Sequence, residues 1–316
     1  MKSAGIRGAG YAIPSQKISN DDFSKMGLET SDEWIVARTG IKTRYIADEN
    51  TTSATLAEAA ARKAIQNAGL TRTEIDMVIC ATTSPEYPLF PSNACLLQHR
   101  LNLRQVPSFD LSAACSGFSY ALTTGAQFIA TGAAKNILVV ASDCLSKFVD
   151  WQDRSICVLF GDGAGAIVLS ETAQPGLSYS RLYSDGGHGN ILCVPPDKTP
   201  PHIVMNGKAV FKVAVENVIP AIEEALSQTQ LTGESLTWFI PHQANIRIIQ
   251  MIAQKVGIPE EKVLLNIAEL GNTSAASIPI AIAQAAETGK FKPGDTILMA
   301  GFGAGFTWGI NVLQWT

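Results

Sequence analysis

Hydrophobic and polar positions follow two rhythms along this chain, and the switches between them outline an α/β protein. Ile75-Asp-Met-Val-Ile-Cys-Ala81 and Asn136-Ile-Leu-Val-Val-Ala141 are short, nearly unbroken apolar runs, as expected of strands buried on both faces. Ser53 to Gly69 instead spaces alanines and aliphatics at helical intervals and closes on Ala-Gly, a C-cap signal. Residues 3–12 predict a first strand interrupted by glycines. Thr30-Ser-Asp-Glu33 has the capping-box spacing and predicts a helix from there to about Arg38. Phe90-Pro-Ser precedes a further helix. Val106 to Leu111 predicts a strand, and the almost uncharged run Ser116 to Thr131 predicts a helix buried on most faces. Val158-Leu-Phe160 predicts a strand entering Gly161-Asp-Gly-Ala-Gly-Ala166, which Ile167-Val-Leu leaves. That glycine run lacks the dinucleotide-loop spacing and is followed by a strand, so it reads as tight backbone packing. Residues 171–203 carry many glycines and prolines and predict a loop-rich excursion covering a site.

The second half repeats the first. Leu70-Thr-Arg-Thr-Glu-Ile-Asp-Met-Val-Ile79 has a counterpart in Leu231-Thr-Gly-Glu-Ser-Leu-Thr-Trp-Phe-Ile240, and Asn136 to Ala141 in Thr296-Ile-Leu-Met-Ala-Gly301, each pair about 160 residues apart. With nearly the same offset Cys115 falls opposite Asn272. The repeat predicts a duplicated α/β unit, residues 1–170 and 171–316, with function gathered between the halves where equivalent strands end.

Composition narrows the function classes. At 46% hydrophobic and 16% charged, much of the 316-residue chain is buried. A net charge of −4 offers no global attraction for nucleic acid or an anionic membrane. The six cysteines have no metal-ligand or CxxC spacing and several sit in apolar runs, which predicts reduced thiols in the cytoplasm, with no metal site. The first residues lack an apolar signal region, and no apolar run approaches the ~20 residues of a membrane span. A soluble cytoplasmic protein is expected.

Five positions carry candidate chemistry. Cys115 lies where a predicted strand gives way to a buried helix; unpaired N–H groups and the helix dipole there push a thiol toward thiolate. Taken alone, the feature reads more readily as a plain core cysteine, since free cysteines are commonly small core residues. Trp-Phe-Ile-Pro241 delivers His242, and a further predicted strand delivers Asn272 beside Gly271. Singly, these read as well as a hydrogen-bonded core histidine and a turn residue. Together with Cys115 they form a set suited to nucleophilic acyl transfer, one that cysteine hydrolases also use. Trp34 and Arg38, four apart on one helix face, suit stacking on a base and holding a phosphate, or are simply a surface tryptophan and a paired arginine.

Thr30-Ser-Asp-Glu-Trp-Ile-Val-Ala-Arg-Thr-Gly-Ile-Lys-Thr-Arg44, Ala113-Ala-Cys-Ser-Gly-Phe118, Phe160 to Ala166, Pro241-His-Gln-Ala-Asn245, Gly271-Asn-Thr-Ser-Ala-Ala-Ser277 and Gly305-Phe-Thr-Trp-Gly309 run in one order across the chain. In that order they resemble β-ketoacyl-acyl-carrier-protein synthase III, the condensing enzyme that starts bacterial fatty-acid synthesis. The resemblance implies a thiolase-like fold, two mixed-sheet halves in five α-β-α-β-α layers, and a homodimer. It implies that Cys115 takes an acyl group, acetyl or another short chain, from acyl-CoA, and that malonyl-acyl carrier protein then loses carbon dioxide and condenses with it. Catalysis would rest on Cys115, His242 and Asn272, with backbone N–H groups of Cys115 and Ala304 as oxyanion hole. Ala304 departs from the usual glycine. Trp34, Arg38, Arg154, Gly207, Phe211 and Asn245 would bind CoA and pantetheine; Ser155, after Arg154, replaces the usual glycine. Leu145, Phe160 and a neighbour's Phe90 would shape the acyl pocket, and Lys212, Arg247 and Lys255 would receive the acidic carrier protein. No metal or redox cofactor is implied. An enzyme of specialised metabolism with another starter or acceptor would keep the same three residues; a catalytically silent carrier-binding scaffold would have no need of them.

Overall fold

A computed structural model describes residues 2–197 and 199–316; Met1, and Lys198 within the predicted excursion, lie outside it. The first strand, β1 (Ser3–Ala12), is followed by the small hairpin partners β2 (Gln16–Ser19) and β3 (Thr43–Ile46), which bracket α1 (Asn20–Lys25) and α2 (Asp32–Thr39). Ser31 caps α2, its hydroxyl accepting from the Trp34 N–H at 3.2 Å, so the helix opens one residue later than the Thr30 capping box predicts. Then come α3 (Ser53–Asn67), β4 (Met77–Ala81), α4 (Asn93–Arg100), β5 (Ser108–Leu111), α5 (Gly117–Ala130), β6 (Asn136–Asp143) and β7 (Gly163–Thr172). These strands form a sheet ordered β1-β7-β6-β4-β5, with β4 parallel to β5 and β6, and β7 antiparallel to β6 and β1.

The rest of the chain builds the same pattern with β8 (Leu177–Ser184), the short pair β9 (Leu192–Cys193) and β10 (Val204–Met205), α6 (Gly207–Thr229), β11 (Trp238–Pro241), α7 (Ile246–Lys255), α8 (Ile267–Leu270), α9 (Ser277–Glu287), β12 (Thr296–Gly303) and β13 (Thr307–Gln314). The second sheet runs β11-β12-β13-β8, with β11 parallel to β12 and the other pairs antiparallel. Where the first sheet has β5, the second has a single parallel bridge, Phe239 to Val263.

Both sheets pack on α5 and α9, while α3 and α4 cover the outer face of the first and α6, with α7 behind it, that of the second. The five-layer expectation is met. The uncharged run predicted as a buried helix is α5, whose Phe118, Leu122 and Ile129 are at most 1% exposed, each stabilising the fold by about 1.5–3 kcal/mol. Tight backbone packing of the glycine run is also found: a Cβ on Gly165 would lie 2.6 Å from the Ile280 nitrogen of α9.

Three local expectations differ from the structure. Val158 to Phe160 is a turn, not a strand, because Arg44 beneath it takes the Val158 carbonyl at 2.7 Å. Asn272 is delivered by α8 and a turn, since the segment after Val263 leaves the sheet after one bridge. Residues 171–203 contain β8, an integral strand whose half-buried alternation hides among glycines and prolines. The pseudo-symmetry is also sharper than the repeat suggested. The residue offset that separates Asn136 from Thr296 also separates Ala114 from Ser274 and Gly117 from Ser277, so Cys115 matches Ala275 and Asn272 matches Ser112. Ala114 and Ser274 share a left-handed backbone, φ 45° and 53°.

Candidate active site

Cys115 lies in the 3-10 turn Ala114–Ser116 that leads into α5. The hairpin between β12 and β13 holds that turn in place: Ser116 Oγ bonds Thr307 Oγ1 at 2.8 Å, and Thr307 Oγ1 reaches the Ala113 carbonyl at 3.1 Å and the Ala304 carbonyl at 3.0 Å. Gly303 sits against the nucleophile, where a Cβ would lie 2.6 Å from the Cys115 nitrogen. Neither the Cys115 nor the Ala304 N–H donates a hydrogen bond within the described residues. Both residues line one cavity.

Two cavities meet at Cys115. One is lined by Cys115, His242, Asn272, Phe302 and the start of α6, Gly207 to Phe211, together with Asn245. The other, about 180 Å³, is lined by Thr83, Leu145, Phe160, Cys193, Ser274 and Ala304. Cys115 and Phe160 belong to both.

Burial sets the protonation states. The thiol of Cys115 is pushed up to about 12, chiefly by desolvation, with the Ser274 hydroxyl, donating to Sγ at 3.5 Å, acting the other way. This corrects the expected thiolate: at full burial the lost hydration outweighs the pull of a helix end, and α5 itself begins two residues later. His242, 1% exposed, has its pKa lowered to about 3 by the same cause, so the ring is neutral at physiological pH. Ser277 Oγ stands 2.8 Å from His242 Nδ1 and accepts from the Gln243 N–H at 3.3 Å. A Ser277 hydroxyl that donates to Nδ1 leaves the ring proton on Nε2. Asn272 is oriented in a similar way: its Oδ1 accepts from the Ser274 N–H at 2.9 Å, leaving the NH2 free of protein partners among the described residues. Its backbone is clamped to the turn above Arg44 by Asn272 N–H to Leu159 O, 2.9 Å, and Gly161 N–H to Asn272 O, 3.0 Å.

Most of the expected outer residues also converge. The guanidinium carbons of Arg38 and Arg154 stand 4.3 and 5.0 Å from the centre of the Trp34 ring. Arg154 also bonds the Glu29 carbonyl, and Ser155 folds back on Asp153 at 2.6 Å. Asn245 caps α7 through Arg247 N–H and ties it to the Arg38 carbonyl at 2.9 Å. Lys212, Arg247 and Lys255 are exposed on α6 and α7, with Lys212 3.8 Å from Glu216. Phe90 is not brought to its own chain's cavities; it stands 80% exposed beside Leu89 at 85%. Sequence reasoning missed Ser277, the polar residue at the head of the wholly apolar run Ile278 to Ala283, and Ser274, three positions before it. It also missed Phe302, which meets the His242 ring edge-on at 5.2 Å.

Residues 109–186 match the family described as 3-oxoacyl-[acyl-carrier-protein] synthase III, and residues 226–315 match its C-terminal part. The chain is 45% identical to a β-ketoacyl-[acyl-carrier-protein] synthase III of Coxiella burnetii, over 99% of this chain and 100% of the relative. The 3-oxoacyl-[acyl-carrier-protein] synthase III structure from Aquifex aeolicus superposes with a TM-score of 0.95 at 45% identity, covering 99% of this chain and 100% of that one. The priming β-ketosynthase of the R1128 polyketide pathway superposes equally well, TM-score 0.95, at 35% identity and 99% and 96% coverage.

Proposed function

Because the chain belongs to the 3-oxoacyl-[acyl-carrier-protein] synthase III family, we propose that its two cavities serve the two halves of one condensation at Cys115. The enzyme condenses an acyl-CoA with malonyl-acyl carrier protein to a β-ketoacyl-acyl carrier protein, the step that initiates fatty-acid synthesis. Cys115 Sγ attacks the thioester and keeps the acyl group as CoA leaves. Malonyl-carrier protein then enters along the cavity at the head of α6 and loses carbon dioxide. The enolate oxygen so formed takes hydrogen bonds from His242 Nε2–H and the Asn272 NH2. Its carbon attacks the acyl-Cys115 carbonyl, whose oxygen turns to the N–H groups of Cys115 and Ala304, and collapse expels Cys115 as a thiolate that takes a proton from solvent. A protonated His242 or a carboxylate at Asn272 would suit this less well: one is too costly to charge at full burial, the other repels the enolate.

The observation that carries this reading is a neutral His242 ring, its Nδ1 against Ser277, beside an Asn272 NH2 with no partner among the described residues, both lining the cavity that holds the nucleophile. Trp34, with Arg38 and Arg154 on its ring, serves the CoA adenine and phosphates, Gly207, Phe211 and Asn245 the pantetheine, and Lys212, Arg247 and Lys255 the carrier protein. The ~180 Å³ cavity resembles in size one that holds benzene, which favours acetyl or another short starter in the space walled by Leu145 and Phe160. Phe90, on its exposed loop, suits capping the cavity of a second copy in a homodimer. Residues 1–170 and 171–316 act as the two halves, and the chemistry needs no metal or redox cofactor. Work in the cytoplasm suits its carrier-bound substrates, and among the described residues no helix is long and apolar enough to cross a membrane.

Intact-protein mass after incubation with a panel of acyl-CoAs tests the reading. An adduct absent in Cys115→Ser and discharged by malonyl-carrier protein as a β-ketoacyl product supports it; a folded protein that gains no adduct from any acyl-CoA overturns it. The likeness to a polyketide priming ketosynthase favours one alternative, a specialised starter, and a panel in which only long or branched acyl groups load would select it.

A further inference from the structure

The two halves build the turn ahead of their central helix twice, and at one position the copies differ by a hydroxyl. Ala114 and Ser274 hold equivalent places in the 3-10 turns before α5 and α9, and both adopt a left-handed backbone, φ 45° and 53°. Alanine in the first copy shows that the turn itself has no need of the hydroxyl. Both residues line the cavity of about 180 Å³ beside Cys115, among the apolar side chains of Leu145, Phe160 and Ile203. The buried Ser274 hydroxyl donates to Cys115 Sγ at 3.5 Å. No other side chain among the described residues bonds that sulfur. The Ser274 backbone is fixed from the opposite side, where its N–H bonds Asn272 Oδ1 at 2.9 Å.

We propose that Ser274 is a catalytic hydrogen-bond donor that holds the Cys115 thiolate at the start and the end of the reaction. This rests on the acyl-transfer reading above. Before loading, the S–H bond gives its proton to solvent water, and the charged sulfur accepts the Ser274 O–H. Sγ then bonds the substrate carbonyl carbon, the carbon–sulfur bond to CoA breaks, and CoA leaves as a thiolate that solvent protonates. A thioester sulfur is a weak acceptor, so the acyl-enzyme loses most of this bond. Condensation expels Cys115 as thiolate, the bond to Ser274 forms again, and solvent returns the proton. Ser274 keeps its own proton throughout and contributes a dipole already aimed where charge develops. Burial opposes a charge on this sulfur, and in the same apolar surroundings one well-placed donor counts for more than it would in water.

Alkylation of Cys115 by iodoacetamide, followed by peptide mass from about pH 7 to 9, tests the donor without any acyl-CoA. Ser274→Ala puts into the turn the residue that the equivalent turn already carries. Ser274→Gly suits a left-handed backbone still better. Both lack the hydroxyl, and both leave in place Asp143, at the end of β6, and His242, the ionisable side chains that act on the sulfur or share its cavity. Both variants are expected to react roughly 4- to 15-fold more slowly than wild type at each pH. That range follows from losing a hydrogen bond to a charged group, partly offset by the greater nucleophilicity of a more basic thiolate. Single-turnover CoA release from acetyl-CoA is expected to fall by a similar factor. An alanine variant within twofold of wild type overturns the proposal; so does a glycine variant that reacts as wild type does, which would trace the effect to backbone strain. Intact mass of the wild-type enzyme after acetyl-CoA separates the two failures. No adduct sinks the acyl-transfer reading and the catalytic role with it, whereas an adduct combined with unchanged alkylation in the variants sinks the Ser274 donor alone.

Discussion

Replacing Ser277 by alanine tests whether its hydroxyl, 2.8 Å from Nδ1, holds His242 as an Nε2–H hydrogen-bond donor. The substitution removes one oxygen, and with it the 2.8 Å bond to Nδ1 and the 3.3 Å acceptor of the Gln243 N–H. Helix α9 keeps its alanine-rich start, so the perturbation is local. Nδ1 is buried with a residue only 1% exposed, and losing a partner at such a site costs about 1–3 kcal/mol. The ring then divides between Nε2–H with an unpaired Nδ1 and Nδ1–H with an Nε2 lone pair facing the enolate, which repels it. At about 1.4 kcal/mol per tenfold in rate, the donor function falls roughly 5- to 100-fold. The assay loads Cys115 with acetyl-CoA first, then adds malonyl-carrier protein labelled in its free carboxyl and follows carbon dioxide release in a single turnover. CoA release in the loading step is measured separately. The expected outcome is a fall of that size in decarboxylation, a much smaller one in loading, and partial recovery in Ser277→Thr, which keeps the hydroxyl. An equal fall in both steps, or no recovery with threonine, would show that Ser277 matters only for packing.

Gly303→Ala tests how tightly the nucleophile is seated. The added Cβ would lie 2.6 Å from the Cys115 nitrogen and 2.8 Å from its Cβ, against ordinary contacts of about 3.5–4.0 Å. Cys115 then shifts by about 1 Å, which costs roughly 100-fold in acyl loading and about 1–3 kcal/mol in stability; adduct formation by mass and a denaturant midpoint read the two, and near-normal loading would contradict the geometry. The pH dependence of decarboxylation follows from His242. Its pKa is lowered, so the neutral ring persists as pH falls below 6.5 and is lost only near 3. The decarboxylation rate of the preloaded enzyme is expected to stay level from pH 8 to about 5; an acid limb near 6.5 that vanishes in His242→Gln would show that the ring is solvated.

Local pattern carried much of this protein. The apolar runs of β4, β6 and β12 and the uncharged helix α5 were legible because a buried strand or helix has to be apolar wherever it lies. The repeat was legible because two similar sheets need the same runs at the same spacing, and Cys115, His242 and Asn272 stood out as polar residues ending apolar stretches. The turn at Val158 to Phe160 was not legible. Its three apolar residues satisfy a strand pattern, and only the buried Arg44, far away in sequence, takes the carbonyl that a sheet neighbour would otherwise hold.

By itself the sequence determined the duplicated α/β plan, the order of the buried elements and the three side chains at their ends, since burial, periodicity and chain order are local properties. Protonation was decided by tertiary structure. A helix terminus argued for a thiolate at Cys115, but burial between the two halves left a thiol, because desolvation depends on every atom packed around the sulfur. The contact of His242 Nδ1 with Ser277 joins residues 35 positions apart, and the buried Asp143 Oδ1 takes its donors from the turn after β4. Hydrogen-bond direction is set by what each partner does with its remaining protons and lone pairs, and only the folded chain brings those partners together.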